Sequence, residues 1–303
     1  MNKLKFNIAL VVLTFLCLTI YPWFQAISYT LQLAIAGVLV FLVGIPHGAI
    51  DHVIYFKAKK RSLSNIVLFY AAYIGLMLLY ALVWVWFPYF SLLLFLIISA
   101  VHFGQSQFSF LEKNGSNLFR WIFYLAWGGS LLLGLTFYHY EAILSDFINT
   151  AYFTDLELYL PVDMLLIFFW AFTISAAFLI IFYLGGHKDY KASIIELVNF
   201  ALIHFILFCL PPLLGFTIYF VFWHSLKVLF QEYDYLKLRI KKLNFERFLK
   251  ILTPHSLISI VGALLMIATF NYLDLDISPV LLVLIFLSVL TLPHTIVMNR
   301  LYE

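Results

Sequence analysis

Lys57–Phe87 reads KAKKRSLSNIVLFYAAYIGLMLLYALVWVWF. Its cations, Lys57, Lys59, Lys60 and Arg61, stand at one end, and residues 65–87 carry no charge. At 1.5 Å of rise per residue, such a run crosses the roughly 30 Å hydrocarbon core of a bilayer as a helix. The stretch therefore predicts a transmembrane span with a basic flank. The same alternation repeats along the chain and predicts an all-α, polytopic bundle of about ten spans. Their expected limits are 6–24, 28–46, 65–87, 89–110, 118–139, 162–184, 194–210, 213–230, 254–271 and 279–298, with Pro211-Pro212 as the least certain division.

The charges test this division independently. Lys3 and Lys5 precede the first span, the 57–61 cluster follows the second, and Lys113 and Arg120 follow the fourth. Lys188 and Lys191 follow the sixth, and Lys227, Lys237, Arg239, Lys241, Lys242, Arg247 and Lys250 follow the eighth. Arg300 follows the tenth. All 18 basic residues thus fall on one side. The other side carries only acids: Glu141, Asp146, Asp155, Glu157, Asp163, Asp274 and Asp276. The positive-inside rule places the basic loops and both termini in the cytoplasm, with the chain as a multi-pass protein of the cell membrane.

Composition agrees. Of 303 residues, 64% are hydrophobic and 11% charged, with a mean hydropathy of +1.01. A soluble domain could not cover itself with so few charges. The net charge of +3 and the absence of a basic, turn-rich cluster argue against nucleic acid as a partner. Cys17 and Cys209 sit inside apolar runs and read as packed or lipid-facing residues, not a disulfide. The first run leads into Tyr21-Pro22-Trp23-Phe24 and not a cleavage site, so it reads as an uncleaved span. No linker is long enough to separate domains, and residues 1–303 read as one integral membrane domain.

Polar groups at membrane depth mark functional sites by default. Pro46-His47-Gly48-Ala49-Ile50-Asp51-His52 ends the second span with two imidazoles, a carboxylate and a glycine that would let another backbone approach. His102 lies in the same half of the fourth span, His224 of the eighth and His294 of the tenth, and His255 begins the ninth. Six of the 9 histidines therefore share one level on five helices. His139 at the outer face, His187 in a basic loop and His204 mid-span do not. Imidazole is a common ligand for iron, copper and zinc, and bundles build metal sites from facing helices. For His47, His102 and His224 this outweighs simple hydrogen bonding to carbonyls or headgroups. Small residues flank His102 in Ser99-Ala100-Val101-His102-Phe103-Gly104, and aromatics flank His224. Asp51 would either orient a ligand histidine or face Lys57 or Lys59.

Four segments, GIPHGAIDH (44–52), SAVHFG (99–104), PPLLGFTIYFVFWHS (211–225) and TLPHTIVMN (291–299), occur in this order. The chain from about residue 35 to 300 resembles the membrane-integral β-carotene 15,15′-dioxygenases of the Brp/Blh type. The resemblance implies oxidative cleavage of the central double bond of β-carotene by O2, giving two retinal molecules, at a non-haem Fe(II) centre. It implies His47, His102 and His224 as catalytic iron ligands. The family's third motif carries another histidine four residues on, where this chain has Val228. Three histidines then suffice, or His52 or His294 supplies a fourth nitrogen, or the chain is a catalytically impaired carotenoid-binding relative.

The residues support this chemistry. No G-x-G-x-x-G pattern and no convincing serine or cysteine triad competes with it. Aromatic residues, 19% of the chain, could wall a tunnel for a bilayer-dissolved polyene. Phe103, Tyr219, Phe222 and Trp223 are the expected substrate contacts. A proton-coupled transporter is the rival from another class, although no pair of similarly interrupted halves is visible. A retinal photoreceptor lacks a deep lysine, and a desaturase lacks the compact histidine boxes of that group.

Overall fold

The computed structural model describes residues 10–12, 14, 16, 19, 26–58, 62–109, 117–148, 150, 152–186, 190–272 and 277–302. Among them every regular element is helical. Eight helices are long and apolar enough to cross a membrane: Tyr29–Phe56, Leu63–Trp86, Pro88–Gln107, Leu118–Tyr138, Val162–Phe182, Pro212–Lys237, Phe245–Phe270 and Pro279–Asn299. Ser193–Cys209 is a shorter apolar helix, where the seventh span is expected. Most of the expected 6–24 span lies outside the described residues, as do Cys17, Lys59, Lys60, Arg61, Lys113, His187, Lys188, Asp274 and Asp276.

The elements are α1 (Tyr29–Leu39), a π-helical turn (Val40–Gly44), a 3-10 turn (Pro46–Gly48), α2 (Asp51–Ala58), α3 (Leu63–Trp86) and α4 (Pro88–Gln107). Then come α5 (Asn117–Tyr138), α6 (Tyr140–Ile148), α7 (Leu156–Tyr159), α8 (Val162–Gly186), α9 (Tyr190–Cys209) and α10 (Pro212–Ile218). A second π-helical segment (Tyr219–Ser225), α11 (Leu226–Lys237), α12 (Phe245–Tyr272) and α13 (Pro279–Tyr302) complete the chain.

Local chemistry sets several of these boundaries. Ser62 caps α3 by accepting from the Asn65 N–H at 3.3 Å. Pro88 opens α4, and Pro211-Pro212 separates α9 from α10, because proline fits the first helical turn but cannot continue a helix. Two expected boundaries move. The second span does not stop at Pro46 but continues through the irregular turns to Phe56. The ninth begins not at Pro254 but at Phe245, where Asn244 Oδ1 accepts from the Arg247 N–H at 2.9 Å. Pro254 and His255 are therefore inside α12.

The helices form two compact units. The first comprises Met1–Leu39, Ser99–Leu144 and Glu157–His224. Its α5 packs along α8 and α9, where Gly129 abuts the Phe172 ring and Gly134 the His204 ring. His204 ties the three helices together: its Nε2 meets Ser130 Oγ at 3.0 Å, its Nδ1 meets Tyr138 Oη at 3.0 Å, and Ser130 reaches Thr173 at 2.8 Å. Hydrogen bonding of this kind joins helices where apolar contact cannot, since lipid is as apolar as leucine. Closer still are α4 and α5. A Cβ added at Gly104 would lie 2.2 Å from the Tyr124 carbonyl oxygen, and one at Gly128 1.9 Å from that of Ala100.

The second unit comprises Val40–Ile98, Ser145–Leu156 and Ser225–Glu303. Trp84 Nε1 donates to Ser288 Oγ at 2.7 Å and holds α3 to α13. Its core gathers Ala49, Ile50, Ile54, Phe69, Val228, Leu236, Phe248, Val297 and Met298. On α3, Leu68, Leu78, Leu79 and Leu82 remain exposed, as expected of a helix that is apolar all round and faces lipid.

Because the α4–α5 contact leaves no room for a side chain, Gly128→Ala should destabilise the fold by about 1–3 kcal/mol. Gly75→Ala, where nothing lies within 4 Å, should be neutral or slightly stabilising. Thermal midpoints of the two variants in one detergent check the contrast.

Candidate metal centre

In the first unit, His102 comes from α4 and His224 from the π-helical segment. Their ring centroids are 4.9 Å apart at 73°, and both side chains are buried. A π-helical turn widens the helix by one residue, a distortion that recurs at functional sites. Ser106, one turn after His102, donates to the Phe103 carbonyl at 2.9 Å and lies 3.0 Å from His224 Nδ1. With the hydroxyl proton thus committed, Ser106 Oγ accepts from Nδ1–H, and the His224 lone pair is on Nε2. Phe103 packs edge-on against the His224 ring at 4.7 Å and Phe220 stacks on it at 5.6 Å. Tyr219 follows at 5.4 Å from Phe103. Trp223 is buried, and Phe222 is partly buried.

In the second unit, the other π-helical turn and Pro46 deliver His47. Its Nδ1 hydrogen-bonds the Gly44 carbonyl oxygen. A carbonyl only accepts, so Nδ1 carries the proton and Nε2 the lone pair. The His294 ring stands 5.0 Å from that of His47 at 85°. His294 Nδ1 in turn lies 2.9 Å and 3.1 Å from the two Asp51 oxygens, and Tyr73 Oη donates to the same carboxylate at 2.8 Å. Asp51 therefore holds His294, not His47, four residues before it. Gly48 makes room for a side chain and not for a backbone: a Cβ there would meet His294 Nδ1 at 3.5 Å. His52 is turned elsewhere, stacked on His255 at 3.9 Å, while His255 Nε2 meets Tyr70 Oη at 3.1 Å.

His47, His102 and His224 form a buried triad that could bind a metal ion. Neutral imidazoles in a water-poor setting suit a first-row divalent ion, iron among them. Ser106 and Tyr73 escaped the sequence reading. The spacing of four residues from His102 was the available signal for Ser106, whereas nothing in the sequence pairs Tyr73 with Asp51.

The profile of the β-carotene 15,15′-dioxygenase family matches residues 38–302, which include all of these side chains. The chain belongs to that family. A curated β-carotene 15,15′-dioxygenase from an uncultured marine bacterium, 66A03, is 31% identical over 189 residues. The match covers 62% of this chain and 64% of the relative, so the chain spans just under two thirds of that protein's length. No solved structure matches the chain. The family name implies a dioxygenase acting on a carotenoid, and the buried nitrogen donors fit the metal such chemistry uses.

The acceptor at Ser106 is removed in Ser106→Ala. Losing a buried hydrogen-bond partner costs about 1–3 kcal/mol, so the variant should unfold at a lower temperature than wild type even in chelator-treated protein.

Proposed function

We propose that this chain cleaves the central 15,15′ double bond of β-carotene with O2, at a non-haem Fe(II) held by His47, His102 and His224. The reaction gives two molecules of retinal. Both oxygen atoms end in the two aldehydes, so no external reductant is needed, in keeping with the lack of a nicotinamide motif. The observation that carries this reading is a buried triad of histidines within a chain of the β-carotene 15,15′-dioxygenase family. Bound iron would supply the activation of O2 that an unaided polyene cannot achieve.

The protein's own residues have three tasks. Gly44 and Ser106 fix the tautomers of His47 and His224, so that each Nε2 is kept available. Phe103, Phe220 and Tyr219 build an apolar wall beside His224 that excludes water and suits a polyene. Trp223 and Phe222 extend the same segment and are proposed as further substrate contacts.

For the fourth nitrogen we favour His294 over His52. Asp51 holds His294 Nδ1 as carboxylates hold metal-bound histidines, whereas His52 is engaged with His255. Val228 is fully buried among Ala49, Ile50, Val297 and Met298, so packing has taken over the position where the family carries its extra histidine. The apolar helices and one-sided cations support a multi-pass protein of the cytoplasmic membrane with both termini in the cytoplasm.

Expression in carotenoid-producing bacteria tests the reaction: wild type should deplete β-carotene and accumulate retinal, and His47→Ala and His102→Ala should do neither. Undiminished β-carotene in well-expressing, iron-supplied cells overturns the proposal. Metal analysis of the purified chains tests the fourth nitrogen. Iron content should fall in His294→Ala and stay at the wild-type level in His52→Ala, and equal loss in both would remove the preference.

A further inference from the structure

Glu232 is wholly buried, and neither of its carboxyl oxygens has a hydrogen-bond partner. It lies on α11 between Val228 and Leu236, at four-residue spacing on one helical face, and all three side chains are fully buried. Val228 and Leu236 pack in the cluster that contains Ala49, Ile50 and Ile54, which bracket Asp51, and Val297 and Met298, which follow His294. The row thus aims Glu232 toward the Asp51 carboxylate, and Asp51 is the charged group that acts on it.

Packing alone does not explain a glutamate here. A leucine or methionine would fill the space without removing a polar group from water, and one buried carboxyl beside another is a costly arrangement. Buried polar groups without partners call for an explanation, and an unplaced ion is one of the standard ones. Asp51 retains accepting capacity beyond His294 and Tyr73, since a carboxylate has about four acceptor positions. The Tyr73 hydroxyl brings a further oxygen to the same place.

We propose that Glu232 and Asp51, with Tyr73, form a second cation site in this protein, for a divalent ion of the oxygen-preferring Mn(II) or Mg(II) class. Carboxylate and hydroxyl oxygens select that class, whereas imidazoles select iron, copper or zinc. Glu232 is not part of the histidine triad, so the site is distinct from the one those residues form. An ion there joins two carboxylates that would otherwise repel, and it anchors Asp51 and through it the His294 ring. Asp51 is a positioning residue in this arrangement, and Glu232 is a ligand of the second ion alone.

Mn(II) is the probe, because its paramagnetic signal reports binding directly. The full-length chain carrying His102→Ala and His224→Ala, purified and stripped with chelator, should still take up Mn(II) at one saturable site. Adding Glu232→Gln should weaken that binding by at least about tenfold. Folding is controlled by the thermal midpoint without metal, where Glu232→Gln should equal or exceed its parent because a neutral amide replaces an acid. Mn(II) should raise the midpoint of the parent and leave Glu232→Gln unmoved. Equal Mn(II) affinity with and without Glu232, or no uptake by the histidine-depleted chain, overturns the proposal and leaves a carboxyl pair sharing a proton. Failure of the histidine centre would show instead as wild-type iron content unaffected by the histidine substitutions, so the two ideas fall separately.

Discussion

An imidazole buried where water is scarce must give its one N–H to an acceptor inside the protein. This constraint organises the candidate site. His47 gives its proton to the Gly44 carbonyl, His224 to Ser106, and His294 to Asp51. In each case Nδ1 is the donor, which leaves Nε2 with the lone pair and selects one tautomer for all three rings. A ring free to choose its tautomer would present a lone pair only part of the time. The acceptors are therefore as much a part of the site as the histidines.

Each acceptor depends on a departure from regular structure or on an unusually close contact. Gly44 closes a π-helical turn whose altered hydrogen bonding places its carbonyl beside His47, and Tyr219–Ser225 is π-helical where His224 emerges. Ser106 stands one turn from His102 on α4, a helix held against α5 by glycines that tolerate no side chain. Asp51 begins α2 just after the 3-10 turn and meets His294 from the other end of the sequence. The same region carries the buried Glu232, so acidic groups cluster around the element that carries His47. The Brp/Blh resemblance and the family match direct attention to the histidines, whereas the carboxylates emerge only from packing.

Much of this was legible in the chain. Hydropathy and charge are properties of local stretches, so eight apolar helices fall where spans were expected and the break at Pro211-Pro212 is real. The histidines of the triad were readable from depth along their spans and from the motifs around them. The readings that moved were those at helix ends. Pro46 and Pro254 look like terminators in sequence, yet neighbouring groups satisfy the backbone around them and the helices run on, as membrane helices allow.

The sequence by itself therefore determined an all-helical membrane architecture, its spans and the residues able to bind metal, because each rests on a periodicity or composition within one segment. Tertiary structure alone decided which acceptor serves which ring. Ser106 and His224 are 118 residues apart, and Asp51 and His294 are 243 apart. It also turned His52 toward His255, buried Val228 in an apolar cluster, and left Glu232 facing Asp51. The physical reason is the same throughout: a buried polar group is defined by its partner, and in a bundle that partner comes from whichever helix the packing brings near.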